Sequence, residues 1–142
     1  MTDQSHTVKE EGFDGLEKQL QRFPDSVVEE FRRTWELMKE SLSEADLLTW
    51  GTQGLEIATQ PVRSWEAASE YFRASVKVQE NLTAAQMQDW AECGSALCRT
   101  SPTLAIAYFR ASPRTTHYLK GKQLWGWADM GRALYKGTWK SS

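Results

Sequence analysis

The chain has 142 residues, 40% of them hydrophobic and 25% charged, with only 4 prolines and 9 glycines. That is room for one ordinary domain or a few small helical repeats, and it excludes a largely disordered or fibrous chain. The formal net charge of −2 hides a strong polarity, because residues 1–70 carry 7 Lys+Arg against 15 Asp+Glu and residues 71–142 carry 10 against 4.

Residues 1–12 are polar and acidic, with neither an apolar secretory core nor a basic transit composition. A flexible tail and a cytoplasmic protein are expected, and no apolar run approaches the roughly eighteen residues of a membrane span. Residues 13–142 read as a single helical-repeat domain. Asp14-Gly-Leu-Glu17 is a capping box that opens a helix to about Arg22, and Pro24 interrupts it. Ser26-Val-Val-Glu29 opens a longer helix to about Glu40.

From Leu42 onward a unit recurs. Leu42, Trp50 and Gly54 are spaced like Leu82, Trp90 and Gly94, and like Leu119, Trp127 and Gly131. A second block, Tyr71-Phe72-Arg73-Ala74-Ser75, returns 37 residues later as Tyr108-Phe109-Arg110-Ala111-Ser112. Trp50 to Trp90 is 40 residues and Trp90 to Trp127 is 37, so the first unit holds three extra residues before Tyr71. Phe31-Arg32 precedes Leu42 much as Phe72-Arg73 precedes Leu82. A fixed period of this size is the mark of stacked helical hairpins. The units span about 42–81, 82–118 and an incomplete 119–142.

Each unit reads as two helices. The first is capped at Ser43 or by the box Thr83 to Gln86, and a stripe follows at helical spacing: Trp90, Cys93, Gly94, Leu97. The second starts at Ser64 or at Ser101-Pro102, shows Ala105, Tyr108, Phe109 and Ser112 on one face, and ends at Pro113. Glycine in mid-helix costs about 1 kcal/mol against alanine. Gly54, Gly94 and Gly131 therefore imply close approach, with the second-helix alanine as the expected neighbour, Trp covering the joint and Phe72 and Phe109 filling the gap between units. Seven helices and no strand are expected: an all-α, right-handed α-solenoid. Ser141 stands where another second helix is due, so the sequence reads as cut from a longer array, with a terminal capping helix as the alternative.

Trp with Gly four and Leu seven residues later is similar to the first helix of tetratricopeptide (TPR) repeats, although Ala105 and Phe109 sit one position early and the period is not 34. Over nearly all of residues 42–142 the chain more closely resembles a helical-repeat region of bacterial von Willebrand factor A (VWA) proteins related to nitric oxide reductase activation and carbon monoxide dehydrogenase accessory proteins. Trp90-Ala91, Gly94, Leu97, Ser101-Pro102, Ala105 and Phe109 to Pro113 carry the likeness. It implies a scaffold arm that works with a MoxR-type AAA+ ATPase to activate a metalloenzyme. The metal-dependent adhesion motif Asp-x-Ser-x-Ser is absent, so that function does not carry over.

Little in the sequence points to catalysis or a cofactor. His6 and His117 have no metal-ligand spacing to Cys or carboxylates, and no phosphate loop, zinc-protease helix or nucleophile elbow occurs. Cys93 and Cys98, on one helix, lie roughly 140° apart around its axis and about 7.5 Å apart along it, too far to bridge, and are read as small reduced core thiols. Glu10-Glu11 and Glu29-Glu30 read as solvated charge.

Three kinds of partner fit this pattern. The first-helix face away from the Trp stripe (Gln88, Ala91, Ser95, Cys98 and Arg99, then Trp125, Ala128, Arg132, Tyr135 and Lys136) corresponds to the groove of TPR arrays. Arg99, Trp125, Arg132, Tyr135 and Lys136 are the candidate partner-binding residues, Trp125 foremost because its counterparts are Leu48 and Gln88. The acidic and basic halves suit head-to-tail self-association. Basic residues interleaved with aromatics from Arg110 to Trp139 leave nucleic acid as the alternative. Arg32, Arg73 and Arg110 read as structural, binding carbonyls or carboxylates at helix ends.

Overall fold

The computed structural model describes residues 4–60, 63–120, 123, 126 and 127. It is all-helical, with six helices and no strand among the described residues: α1 (Gln4–Leu20), α2 (Asp25–Met38), α3 (Glu44–Ala58), α4 (Trp65–Gln79), α5 (Ala84–Thr100) and α6 (Pro102–Tyr118). Gln123, Gly126 and Trp127 are also helical, and the rest of the expected seventh helix, Gly131 included, lies outside the described residues.

Capping signals mark the starts of α3, α5 and α6, whereas Ser64, expected to cap α4, stands at its N-cap without a side-chain cap hydrogen bond. Ser43 Oγ accepts the Asp46 N–H at 3.2 Å. Thr83 and Gln86 form a reciprocal capping box at 3.2 and 3.0 Å. Ser101 Oγ accepts from Leu104 at 3.3 Å, and Pro102 occupies the first turn, where its missing N–H has no intrahelical partner to lose.

Three boundaries differ from the sequence expectation. Helix α1 starts at Gln4 rather than near Asp14, because nothing in Lys9, Glu10 and Glu11 opposes a helix and Phe13, Leu16 and Leu20 anchor its inner face. Helix α2 starts at Asp25 behind Pro24, one turn residue ahead of the Ser26 cap. Helix α6 runs through Pro113 to Tyr118. Proline costs a helix one hydrogen bond and a clash, and here the burial of Tyr108, Phe109, Ser112 and Thr116 on both sides of it holds the helix together.

The helices form three consecutive hairpins. In one layer α1 packs on α3 and α3 on α5; in the other α2 packs on α4 and α4 on α6. Each first helix also packs on the second helix of its own hairpin, whereas α1 does not touch α5, nor α2 α6, among the described residues. The core is therefore a continuous strip between two layers. Phe31, Trp35, Leu47, Ile57, Tyr71, Phe72, Trp90, Leu97 and Phe109 lie in it, each at most 1% exposed.

Candidate partner-binding surface

One joint recurs along that strip. The Trp50 indole N–H donates to Ser75 Oγ at 2.8 Å, and Ser75 in turn donates to the Tyr71 carbonyl at 2.5 Å. Trp90, Ser112 and Tyr108 repeat this at 2.5 and 2.7 Å. In both hairpins the Trp ring meets a Phe ring edge-on: Trp50 with Phe72 at 5.4 Å and 68°, Trp90 with Phe109 at 5.4 Å and 70°. The glycine one turn after the Trp makes room for that Phe. A Cβ at Gly54 would fall inside the Phe72 ring edge, and one at Gly94 inside that of Phe109. The neighbour that requires glycine is thus the phenyl ring of the same hairpin, not the second-helix alanine.

Between hairpins the rings stack. Tyr71 lies on Trp90 at 5.1 Å and 13°, and Tyr108 lies on Trp127 at 5.0 Å and 15°. Phe31 lies on Trp50 at 5.4 Å and 3°, and it meets Phe72 at 70° as Tyr71 meets Phe109 at 65°. Phe31 is therefore the counterpart of Tyr71 rather than of Phe72, which shifts the sequence register by one residue. The offset becomes 40, the same as from Trp50 to Trp90. The three extra residues of the middle hairpin fall in the α3–α4 connection, six residues long against the single Ser101 between α5 and α6. Arg63, in that connection, adopts a left-handed φ of 48° and lies over the Trp65 ring.

The corrected register makes Glu30 and Arg33 the counterparts of Glu70 and Arg73, and these four with Arg110 form a chain of ion pairs across the second-helix layer. Glu30 pairs with Arg33 at 3.4 Å and with Arg73 at 3.3 Å. Glu70 pairs with Arg73 and with Arg110 Nε, each at 3.1 Å, and Arg110 also reaches Glu66 at 3.5 Å. Arg32 turns instead to Glu17 of α1. The arginines expected to be structural do bind carboxylates, but across helices in mid-length rather than at helix ends. The sequence held a signal for this in Glu-x-x-Arg at 30–33 and again at 70–73.

The first-helix face expected to line a groove is mostly closed. Ala91, Ser95 and Cys98 are each 2% exposed, and Gly51, Leu55 and Ala58 on α3 are buried too. Consecutive first helices pack against each other there, leaving a void of about 20 Å³ beside Trp50, Tyr71, Met87 and Ala91, room for about one water. Gln88 is exposed at the rim. Arg99 is also exposed, but its guanidinium pairs with Glu56 of α3 and so ties α5 to its neighbour. Trp125, Arg132, Tyr135 and Lys136 lie outside the described residues. The open surface is on the other layer, where α2, α4 and α6 enclose a groove of about 420 Å³ lined by Arg33, Leu37, Arg73, Val76, Lys77, Arg110 and Pro113 among others. Of its lining residues the sequence pointed to binding only at Arg110, the first of the basic–aromatic run read as the nucleic-acid alternative.

Burial raises the pKa of three groups in the core. Burial pushes the Tyr71 and Tyr108 hydroxyls well above the ordinary phenol range; Tyr71 donates to the Trp50 carbonyl at 3.1 Å, and Tyr108 lies beside the Cys93 thiol. Burial also raises the Cys98 thiol, opposed in part by the Ser64 hydroxyl and by Arg99. Both cysteines are free and buried, and a buried neutral thiol is a poor nucleophile. Among the described residues no three His, Cys, Asp or Glu side chains cluster so as to hold a metal, and no helix is long and apolar enough to cross a membrane.

The chain matches no protein-family model, no curated protein and no solved structure.

Proposed function

We propose that the chain is a non-catalytic protein–protein interaction scaffold, a right-handed α-solenoid of TPR-like hairpins that serves a VWA/MoxR-type ATPase system in activating a metalloenzyme. The recurring Trp–Ser–Tyr joint carries this reading. It ties the buried serine hydroxyls to the indoles across each hairpin in a packed strip, and leaves exposed mainly the charged faces of a serial array. Such arrays present long surfaces because each unit contacts only its neighbours. The ATPase context rests on the sequence resemblance over residues 42–142.

The reading is tested by co-expressing the tagged chain with a VWA protein and a MoxR-type ATPase of the same genome. A complex with either one that survives size-exclusion chromatography is expected. Chain eluting alone under all nucleotide conditions would remove the ATPase and VWA assignment.

A nucleic-acid-binding array is the second reading, favoured by the exposed cations Arg73, Lys77, Arg110 and Arg114 on α4 and α6. It requires binding to single-stranded DNA that collapses with added salt and is lost in the double variant Arg132→Glu, Lys136→Glu. The acidic and basic halves also support head-to-tail self-association, which sedimentation would reveal as a mass that falls as salt rises.

A further inference from the structure

We infer that the groove across α2, α4 and α6 is a docking site for an acidic amphipathic peptide segment of a partner protein. This deepens the scaffold reading and rests on it. The groove offers an aliphatic floor and a cationic rim. Leu37 is 54% exposed, one of only three large hydrophobic side chains left so open among the described residues, and Val76 lies half-buried across from it. Exposed apolar side chains gathered in a concavity mark interaction surfaces more often than isolated ones do.

The rim is complementary to carboxylates. Arg33, Arg73 and Arg110 line the groove with side chains 64%, 53% and 59% exposed, and Lys77 lies among them without a carboxylate partner among the described residues. Glu70 is the only acidic lining residue among the described residues, and it is 10% exposed and already shared by Arg73 and Arg110. A guanidinium carries five N–H donors in a fixed fork, and each of these arginines uses only one or two of them on its partners. The ion-pair chain thus fixes the arginines in place and leaves donors pointing to solvent.

A peptide can supply apolar side chains for Leu37 and Val76 and carboxylates for the rim. Single-stranded nucleic acid fits less well. Its bases need exposed aromatic faces, and Phe109, the only aromatic side chain lining the groove among the described residues, is fully buried.

The test is fluorescence anisotropy with a fluorescein-labelled synthetic peptide of alternating glutamate and leucine, on the full chain. Saturable binding that weakens with salt is expected, with Leu37→Asp and Lys77→Glu each lowering affinity at least about tenfold. Both positions are exposed, and unchanged melting curves would show that the variants fold. Methyl NMR shifts confined to Leu37 and Val76 on adding peptide would support the site without any variant. The inference is overturned if both variants bind as tightly as the parent chain, if a lysine–leucine peptide binds equally well, or if oligothymidine displaces the acidic peptide with the same sensitivity to Leu37→Asp. Failure here with an intact VWA or ATPase complex removes the groove and leaves the scaffold reading standing.

Discussion

The indole N–H of Trp90 donates to the hydroxyl of Ser112, 22 residues away, at 2.5 Å, and that hydroxyl donates onward to the Tyr108 carbonyl. This bond closes the α5–α6 hairpin where two aromatic layers meet. Ser112→Ala leaves a buried indole N–H without an acceptor, at a cost of about 1–3 kcal/mol. At about 2–4 °C per kcal/mol for a chain of this size, thermal melting should show a clear fall. A Trp90→Phe, Ser112→Ala cycle should give a coupling of at least about 0.5 kcal/mol; strict additivity would mean that the bond contributes nothing.

Gly94 and Gly15 should respond to alanine in opposite directions. A Cβ at Gly94 collides with the Phe109 ring in a filled core, so Gly94→Ala should destabilise the chain by about 1–3 kcal/mol or more. Gly15 is an exposed helical residue with nothing within 4 Å of an added Cβ. Gly15→Ala should stabilise by about 0.5–1 kcal/mol through helix propensity and reduced unfolded-state freedom. Denaturant midpoints moving the same way in both variants would contradict the packing described.

Glu70 and Glu66 separate a buried ion pair from an exposed one. Glu70→Gln takes away a carboxylate shared by Arg73 and Arg110, and should cost about 1–3 kcal/mol. Glu66 is 71% exposed at the end of the same chain, and Glu66→Gln should change stability by less than about 1 kcal/mol. Urea midpoints at low and high salt are the measurement, and equal effects at the two sites would show that the network is not continuous.

Alkaline pH should unfold the protein through its tyrosines. Tyr71 and Tyr108 have folded-state pKa values raised well above the ordinary 10.0. Below that value both states hold the proton, and the stabilisation is complete. Above it the unfolded chain releases protons that the folded chain keeps, so stability falls as pH rises through the folded values. Tyrosinate absorbance from these two residues should appear together with the loss of helical circular dichroism. Tyr71→Phe, Tyr108→Phe should flatten the decline, and tyrosinate from buried rings in a fully folded chain would refute the assignment.

Much of the fold was legible because its signals are local. Ser43, Thr83 with Gln86, and Ser101-Pro102 act within one turn, and the spacing of Trp, Gly and Ser fixes which face of each helix is buried. Signals fail where distant packing outweighs them. Pro113 reads as a helix stop, but the buried side chains around it carry the helix on. The one-residue register shift at Phe31 was hidden because Phe31-Arg32 and Phe72-Arg73 match by name, while Phe31 and Tyr71 share only ring geometry.

The sequence alone determined the helical class, the caps at Ser43, Thr83 and Ser101, and the spacing at which Trp, Gly and Ser recur, since hydrogen bonds within a turn and the 3.6-residue period depend on neighbouring residues. The tertiary structure decided what each surface faces. First helices sit side by side, so the face that looked like a groove is closed with small residues. The second helices carry a charged groove built from Arg33, Arg73 and Arg110, residues on three helices that no local spacing brings together.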